Sequence, residues 1–266
     1  MRKTALFAVA ATAAMFAAAP AFAADLAPVA PMYKAPPMVM APQTWTGFYI
    51  GADIGGAWSH TDGSWTGLPS AALFGANPIS GSLNGSGFLG GGHVGYNYQF
   101  APSWVLGVEG DWTWTHTGGS NSQAWTTFGT GAPFGFGGAT TMSSTVDWLA
   151  SLRGRLGYLV TPNLMAYGTG GIAWGDIHYS ATAAAPGLGY SASTAFNHTS
   201  DGFVVGGGLE YALTHNWSLR AEYLFYHLGS GAGAVVTPAA FPAFPSSFSW
   251  GHTNVDVVRA GLSYKF

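Results

Sequence analysis

From Trp45 onward the chain alternates. In WTGFYIGADIGGAW, the residues Phe48, Ile50, Ala52, Ile54 and Trp58 share one face, and Tyr49, Gly51, Asp53 and Gly55 share the other. A period of two marks a strand whose two faces meet different surroundings. The same alternation runs through residues 88–100, 104–115, 145–160, 164–179, 203–213, 217–228 and 252–266. Each segment reaches the roughly 9–11 residues that a tilted strand needs to cross a hydrocarbon layer. The connections alternate as well. Residues 101–103, 161–163 and 214–216 are tight turns, whereas 60–87, 116–144, 180–202 and 229–251 are long and rich in Gly, Ser, Thr, Ala and Pro. Short turns at one end and long loops at the other predict an all-β chain. Its expected form is an eight-stranded, antiparallel, up-and-down transmembrane barrel, with extracellular loops and both termini periplasmic.

Charge assigns the faces. Glu109 and Asp111 oppose Leu106, Val108, Trp112 and Trp114; Asp147, Arg153 and Arg155 oppose Val146, Trp148, Leu152, Leu156 and Tyr158. Glu210, Arg220, Glu222 and Arg259 oppose apolar residues in the later strands in the same way. A charge facing lipid at mid-depth costs about 2–4 kcal/mol, so these groups should point inward. Asp53, Glu109, Asp111, Glu210 and Glu222 then face Arg153, Arg155, Arg220 and Arg259 in the lumen. Eight strands leave an interior that side chains can fill, which favours a packed ion-pair network over a wide channel or a catalytic cluster. Two places resist this treatment. The run Gly168-Thr169-Gly170-Gly171 leaves its strand unoriented. Asp256 has lipid-facing parity, which requires an outer-rim position near His252 or a bulge. Aromatic residues near the turns (Trp45, Tyr98, Trp104, Tyr158, Trp217, Tyr264, Phe266) and toward the loops (Trp58, Trp112, Trp114, Trp148, Trp174) suggest two interfacial girdles.

Composition narrows the class further. Arg2, Lys3, an apolar stretch and Ala21-Phe22-Ala23 form a secretory signal peptide over residues 1–23. Residues 24–44 carry five prolines and read as a periplasmic leader, leaving 45–266 for the barrel. Charged residues are 7% of the chain, against about a quarter in an ordinary soluble domain. A lipid-bathed exterior tolerates that; a soluble surface would aggregate. The absence of cysteine excludes disulfides and thiolate chemistry. The mildly acidic balance argues against a nucleic-acid partner.

Candidate chemistry is sparse. Six of the eight histidines (His60, His116, His178, His198, His227, His252) sit where strands meet long loops. Such imidazoles can bind haem or metal, but the parity of His60, His116, His227 and His252 splays them outward. An interfacial belt reaching lipopolysaccharide phosphates is the simpler reading. No HExxH or comparable spacing is present, so no cofactor is assigned. Ser143, Ser144, Ser191, Ser193 and Ser200 lie near histidines without a spacing that singles out a nucleophile–base pair. The aromatic residues of the long connections, among them Trp125, Phe128, Phe134, Phe136, Phe241, Phe244, Phe248 and Trp250, suit a cover for the barrel mouth, lipid contact or partners.

The chain also resembles the small outer-membrane β-barrel proteins of alphaproteobacteria, the porin-family or outer-surface-antigen proteins with an OmpA-like eight-stranded barrel. The resemblance is carried by Trp45-Thr46-Gly47-Phe48-Tyr49-Ile50-Gly51 and Arg259-Ala260-Gly261-Leu262-Ser263-Tyr264-Lys265-Phe266. Leu152-Arg153-Gly154-Arg155-Leu156-Gly157-Tyr158 and Tyr167-Gly168-Thr169-Gly170-Gly171 add to it. It implies an abundant surface protein with envelope-integrity roles, haemin binding in some relatives, and no catalytic residues to carry over. The expected partners are outer-membrane lipids, lipopolysaccharide and the barrel-assembly machinery, which would read Phe266 as its signal; the expected state is a monomer. A narrow channel or surface receptor is the alternative, and a lipid A-modifying enzyme a further one.

Overall fold

The computed structural model describes residues 44–67, 79–126, 137–230, 233–243 and 245–266. The expected signal peptide and nearly all of the leader lie outside them. Among the described residues nine strands run in sequence order: β1 (Gly47–Gly67), β2 (Ile79–Ala101), β3 (Trp104–Thr126), β4 (Gly137–Thr161), β5 (Leu164–Ala185), β6 (Tyr190–Ala212), β7 (Trp217–Ser230), β8 (Gly233–Val236) and β9 (Ser246–Lys265). Neighbours pair antiparallel, and β1 pairs with β9 to close the ring. The short β8 continues β7 along the same edge of β9, so the two form one stave and the ring has eight.

Its stagger follows from the register. Tyr49 pairs with Gly95, then the path runs through Glu109, Arg153, Gly171, Val204, Tyr226 and Val255, and returns to β1 at Ser59. The start and end points, Tyr49 and Ser59, lie ten residues apart. A small barrel staggered in this way tilts its strands by about 35–45° and narrows its bore until side chains fill it.

The strands are longer than the alternating segments suggest. β4 has 25 residues and β2, β3 and β6 have 23 each, so much of the sequence assigned to loops is ladder. Gly, Ser, Thr and Ala weaken the hydrophobic signal there, yet the inward row continues with Trp65, Leu83, Met142, Tyr179, Ala181 and Ala183. The turn between β5 and β6 is one 3-10 turn, Pro186–Leu188, ended by Gly189 at a left-handed φ of 67°.

Pairing also orients β5. Met165, Tyr167, Ala173, Ile177 and Tyr179 are buried, while Ile172 and Trp174 face out. One expectation in β4 fails. Register shifts between Val146 and Trp148, and this bulge turns Val146 inward and Asp147 outward. A bulge adds one residue to one strand and so inverts the parity beyond it. Asp256 needs no such device: it faces outward and accepts a hydrogen bond from Tyr223 Oη at 2.5 Å. The bulge on β9 lies nearer the loops, where Thr61 pairs with Thr253 but Gly63 with Trp250.

Candidate functional site

The lumen is filled at three levels. Toward the turns, Trp45, Val105, Met165, Tyr167 and Ala212 close the bore. Trp45 was expected in the outward girdle, but it folds into the barrel end. Its Nε1 donates to the Pro162 carbonyl at 3.1 Å and its backbone N–H to Gln99 Oε1 at 3.2 Å, so both polar groups are satisfied indoors.

The middle level holds the charges. Asp53, Glu109, Asp111, Arg153, Arg155, Glu210, Arg220, Glu222 and Arg259 are all buried in the bore. Arg220 grips Asp53 with two nitrogens, Nε at 3.1 Å from Oδ1 and Nη2 at 2.9 Å from Oδ2, and reaches Glu109 Oε2 with Nη1 at 2.7 Å. Arg153 joins Glu222 at 2.9 Å and Asp111 at 3.0 Å, and donates to Glu109. Arg259 Nε lies 2.8 Å from Glu222, and Arg155 Nη2 lies 2.7 Å from Glu210. These bonds run across the bore between β1, β3, β4, β6, β7 and β9, which is why each charge needs its partner. Breaking a buried pair strands the other ion in low dielectric. Uncharged groups add to the shell. Tyr49 Oη donates to Glu109, Ser151 to Asp111 and Ser218 to Glu210, while the Tyr167 ring lies under Arg155 at 4.0 Å.

Glycines make room for this. A Cβ on Gly51 would strike the His93 ring, and one on Gly261 would strike Asp53 Oδ1.

His93 was missed by reasoning from charge, because it is neutral in the counting and its segment is glycine-rich. It shares inward parity with Gly91, Gly95 and Asn97, and that signal would have placed it. Its Nδ1 lies 2.7 Å from Asp53 Oδ2 and its Nε2 2.8 Å from Ser263 Oγ. Ser263, His93 and Asp53 thus repeat the atom order of a hydrolytic triad. The surroundings do not serve hydrolysis. Ser263 is 2% exposed, Asp53 is held by two arginines, and strand backbone N–H groups are committed to ladders rather than to an oxyanion. None of the five loop-region serines is hydrogen-bonded to a histidine among the described residues; Ser143, for one, bonds Ser180.

The third level, toward the loops, is mainly apolar, with the hydroxyls of Thr61, Thr253, Thr115 and Thr117 buried in it and paired at 2.8 and 2.6 Å. Leu89, Val146, Leu149, Ile177, Tyr179, Val204, Leu224, Tyr226, Leu228, Val255 and Val257 pack there with Phe248 and Trp250. The last two belong to the aromatic connections, and the bulge at 250–253 aims them inward. Phe128, Phe134, Phe136 and Phe244 lie outside the described residues, as does the side chain of Trp125.

Outside, polar groups form a collar just beyond the aromatic residues. His60 is the next outward position after Trp58, and His116 the next after Trp114. Asp147 adjoins Trp148, and Asp176 and His178 follow Trp174. Four histidines are tied across strands by Nδ1: His60 to Asn84 at 2.5 Å, His116 to Asp147 at 3.2 Å, His178 to Asn197 at 2.6 Å and His227 to Asn254 at 2.7 Å. Most splay apart as parity requires, but His227 and His252 stack with ring centroids 5.0 Å apart. His198 has inward parity. At the turn end Phe266 donates its backbone N–H to the Phe48 carbonyl at 3.0 Å, its ring lies edge-on to Tyr264, and Lys265 Nζ donates to the Thr44 carbonyl.

Known proteins are similar to this chain in sequence. It is 36% identical over 231 residues to the 31 kDa outer-membrane immunogenic protein of Brucella melitensis, covering 84% of each chain. It is 29% identical over 217 residues to a 22 kDa outer membrane protein of Rhizobium leguminosarum bv. viciae, covering 77% of this chain and 79% of that one. Among solved structures, the outer membrane protein OprG from Pseudomonas aeruginosa aligns over 83% of this chain and 96% of its own, at 15% identity and a TM-score of 0.41. The model of the outer membrane protein beta-barrel domain matches residues 8–266, and with the closed eight-stave ring this makes the chain a member of that outer-membrane family.

Proposed function

We propose that this protein is a sealed barrel that stabilises the outer membrane and displays its long connections at the cell surface. It is neither a diffusion channel nor an enzyme. The observation that carries this reading is the lumen, blocked in series by the Trp45 cluster, the ion-pair layer and the apolar layer around Phe248 and Trp250. Ions would have to cross both a charge layer held in ion pairs and a mainly apolar packed one. In this reading the loop end is extracellular, both termini are periplasmic, and the barrel is a monomer whose outward face meets outer-leaflet lipid and lipopolysaccharide. Phe266, at the seam of β9 and β1, is the element that assembly machinery reads.

Planar-bilayer recording tests the sealed lumen. The refolded barrel should give no steady conductance over long recordings; reproducible, long-lived openings would overturn the proposal. The triad-like Ser263 calls for a separate test. A fluorophosphonate probe should leave the folded barrel unlabelled, and labelling that disappears in Ser263→Ala would establish a hydrolase.

A further inference from the structure

We infer that the outward histidine collar is a binding surface for the phosphate groups of outer-leaflet glycolipid, engaged when its imidazoles are protonated. This rests on the proposed orientation, with the loop end in the outer leaflet. Three observations converge on it.

The first is charge. Within residues 45–266 the basic side chains are Arg153, Arg155, Arg220 and Arg259, all in the lumen, and Lys265 at the turn end. No lysine or arginine occurs on the outward face near the loops. The acids outside the lumen in this stretch, Asp62, Asp147, Asp176, Asp201 and Asp256, all have outward parity there. A lipid phosphate meeting this rim finds carboxylates, amides and imidazoles, and of these the imidazole alone can become a cation.

The second is hydrogen bonding. In the four cross-strand pairs, Nδ1 of the histidine faces an Oδ1 atom. Amide and carboxylate oxygens accept, so Nδ1 carries the proton in the neutral ring and Nε2 is the atom that gains one. Protonation therefore adds a charged donor without breaking the bond that orients the ring.

The third is arrangement. His60 faces Asn84 on β2 and Asn254 on β9, with Asp62 at 3.6 Å on its own strand. Asn254 in turn pairs with His227 on β7, which stacks on His252 of β9 and lies tilted against Phe203 of β6. His60, His227 and His252 thus line one continuous row across β1, β9 and β7. His116 faces Asp147 on β4, and His178 faces Asn197 on β6 and Thr145 on β4, with Asp176 on its own strand. Protonating both members of the His227–His252 stack puts two like charges 5.0 Å apart. A phosphate seated against both relieves that repulsion, whereas a neutral sugar does not.

The test uses the mature chain folded in detergent, with diphosphoryl lipid A and its dephosphorylated form as probes. Native mass spectrometry reads lipid retained per barrel at about pH 5.5 and about pH 7.5, either side of the range in which histidine titrates. Retention of diphosphoryl lipid A should rise about tenfold at the lower pH, and the dephosphorylated probe should show no such rise. A variant carrying H60Q, H116Q, H178Q, H227Q and H252Q should lose the pH dependence while keeping heat-modifiable migration. If that variant does not fold, H227Q/H252Q alone should lower the acid-dependent gain severalfold.

Retention equal at both pH values in the unaltered barrel, or a pH dependence that survives the substitutions, overturns the collar and leaves the lipid-anchored barrel standing. Displacement of the lipid by millimolar inorganic phosphate also overturns it, because the site would then recognise free anion rather than the lipid. Failure of both probes to bind at any pH overturns the collar together with the proposed contact with outer-leaflet lipid.

Discussion

At the scale of single residues, the lumen behaves as a set of mutually dependent ions. Arg220 is the hub, since it serves Asp53 and Glu109 at once. Arg220→Ala takes one cation from each carboxylate, leaving Asp53 to Arg259 and Glu109 to Arg153 and Arg155, and should cost about 3 kcal/mol. Guanidinium unfolding of the refolded barrel, followed by tryptophan fluorescence, measures that loss. Ser151→Ala removes one neutral donor from Asp111 and should cost about 1–2 kcal/mol in the same assay. Glycine offers a paired contrast. Gly261→Ala would push a methyl into Asp53 Oδ1 and destabilise the barrel. Gly168→Ala meets nothing within 4 Å and should be close to neutral. Equal effects from the two substitutions would mean that the ion network repacks freely.

At the scale of elements, β6 is two strands in one. It pairs with β7 only over residues 202–212, while residues 191–201 have β5 on one side and no ladder on the other among the described residues. Backbone groups pointing away from a single ladder exchange with water through smaller openings than those held on both sides. Hydrogen exchange should therefore change along β6 at Gly202, with the outward-pointing amides of 191–201 about tenfold faster or more than those of 202–212. Uniform protection would mean that β8 or the following segment zips onto that edge in solution. The β1–β9 seam poses the complementary question. Phe266 adds one backbone bond and one ring contact to a ladder that already runs from Tyr49 to Gly67. Deleting it should lower outer-membrane levels while barely shifting the unfolding midpoint of the barrel that does insert. Normal outer-membrane levels would remove Phe266 as an assembly signal.

At the scale of the whole molecule, the three levels of filling act in series, so opening one does not open the bore. Arg220→Ala disturbs the charge layer and Phe248→Ala the apolar one, and neither alone should give steady conductance in planar bilayers. A steady current from Arg220→Ala would show that the apolar layer is permeable. Closure also explains how a chain so poor in charge and without disulfides holds together. Every backbone group in the ring has a strand neighbour at membrane depth, and the exterior there needs only to match lipid.

Alternation alone determined the ring, because a half-lipid, half-lumen strand must repeat every two residues; the cost of a charge in lipid then sent Asp53, Glu109, Arg153 and their partners inward. Those signals are local, and each strand carries them by itself. Pairing between strands decided the rest. A bulge is set by the neighbour's register, so Val146 and Asp147 exchanged faces where their own alternation gave no warning. Strand length beyond the membrane rests on ladder bonds, which Gly, Ser and Thr make as well as Val does, so parts of all four expected loops became wall. His93 met Asp53 and Ser263 only because a stagger of ten residues brings β2 and β9 against the same stretch of β1. Which charge meets which across a bore is a property of that stagger, and it exists only once the cylinder has closed.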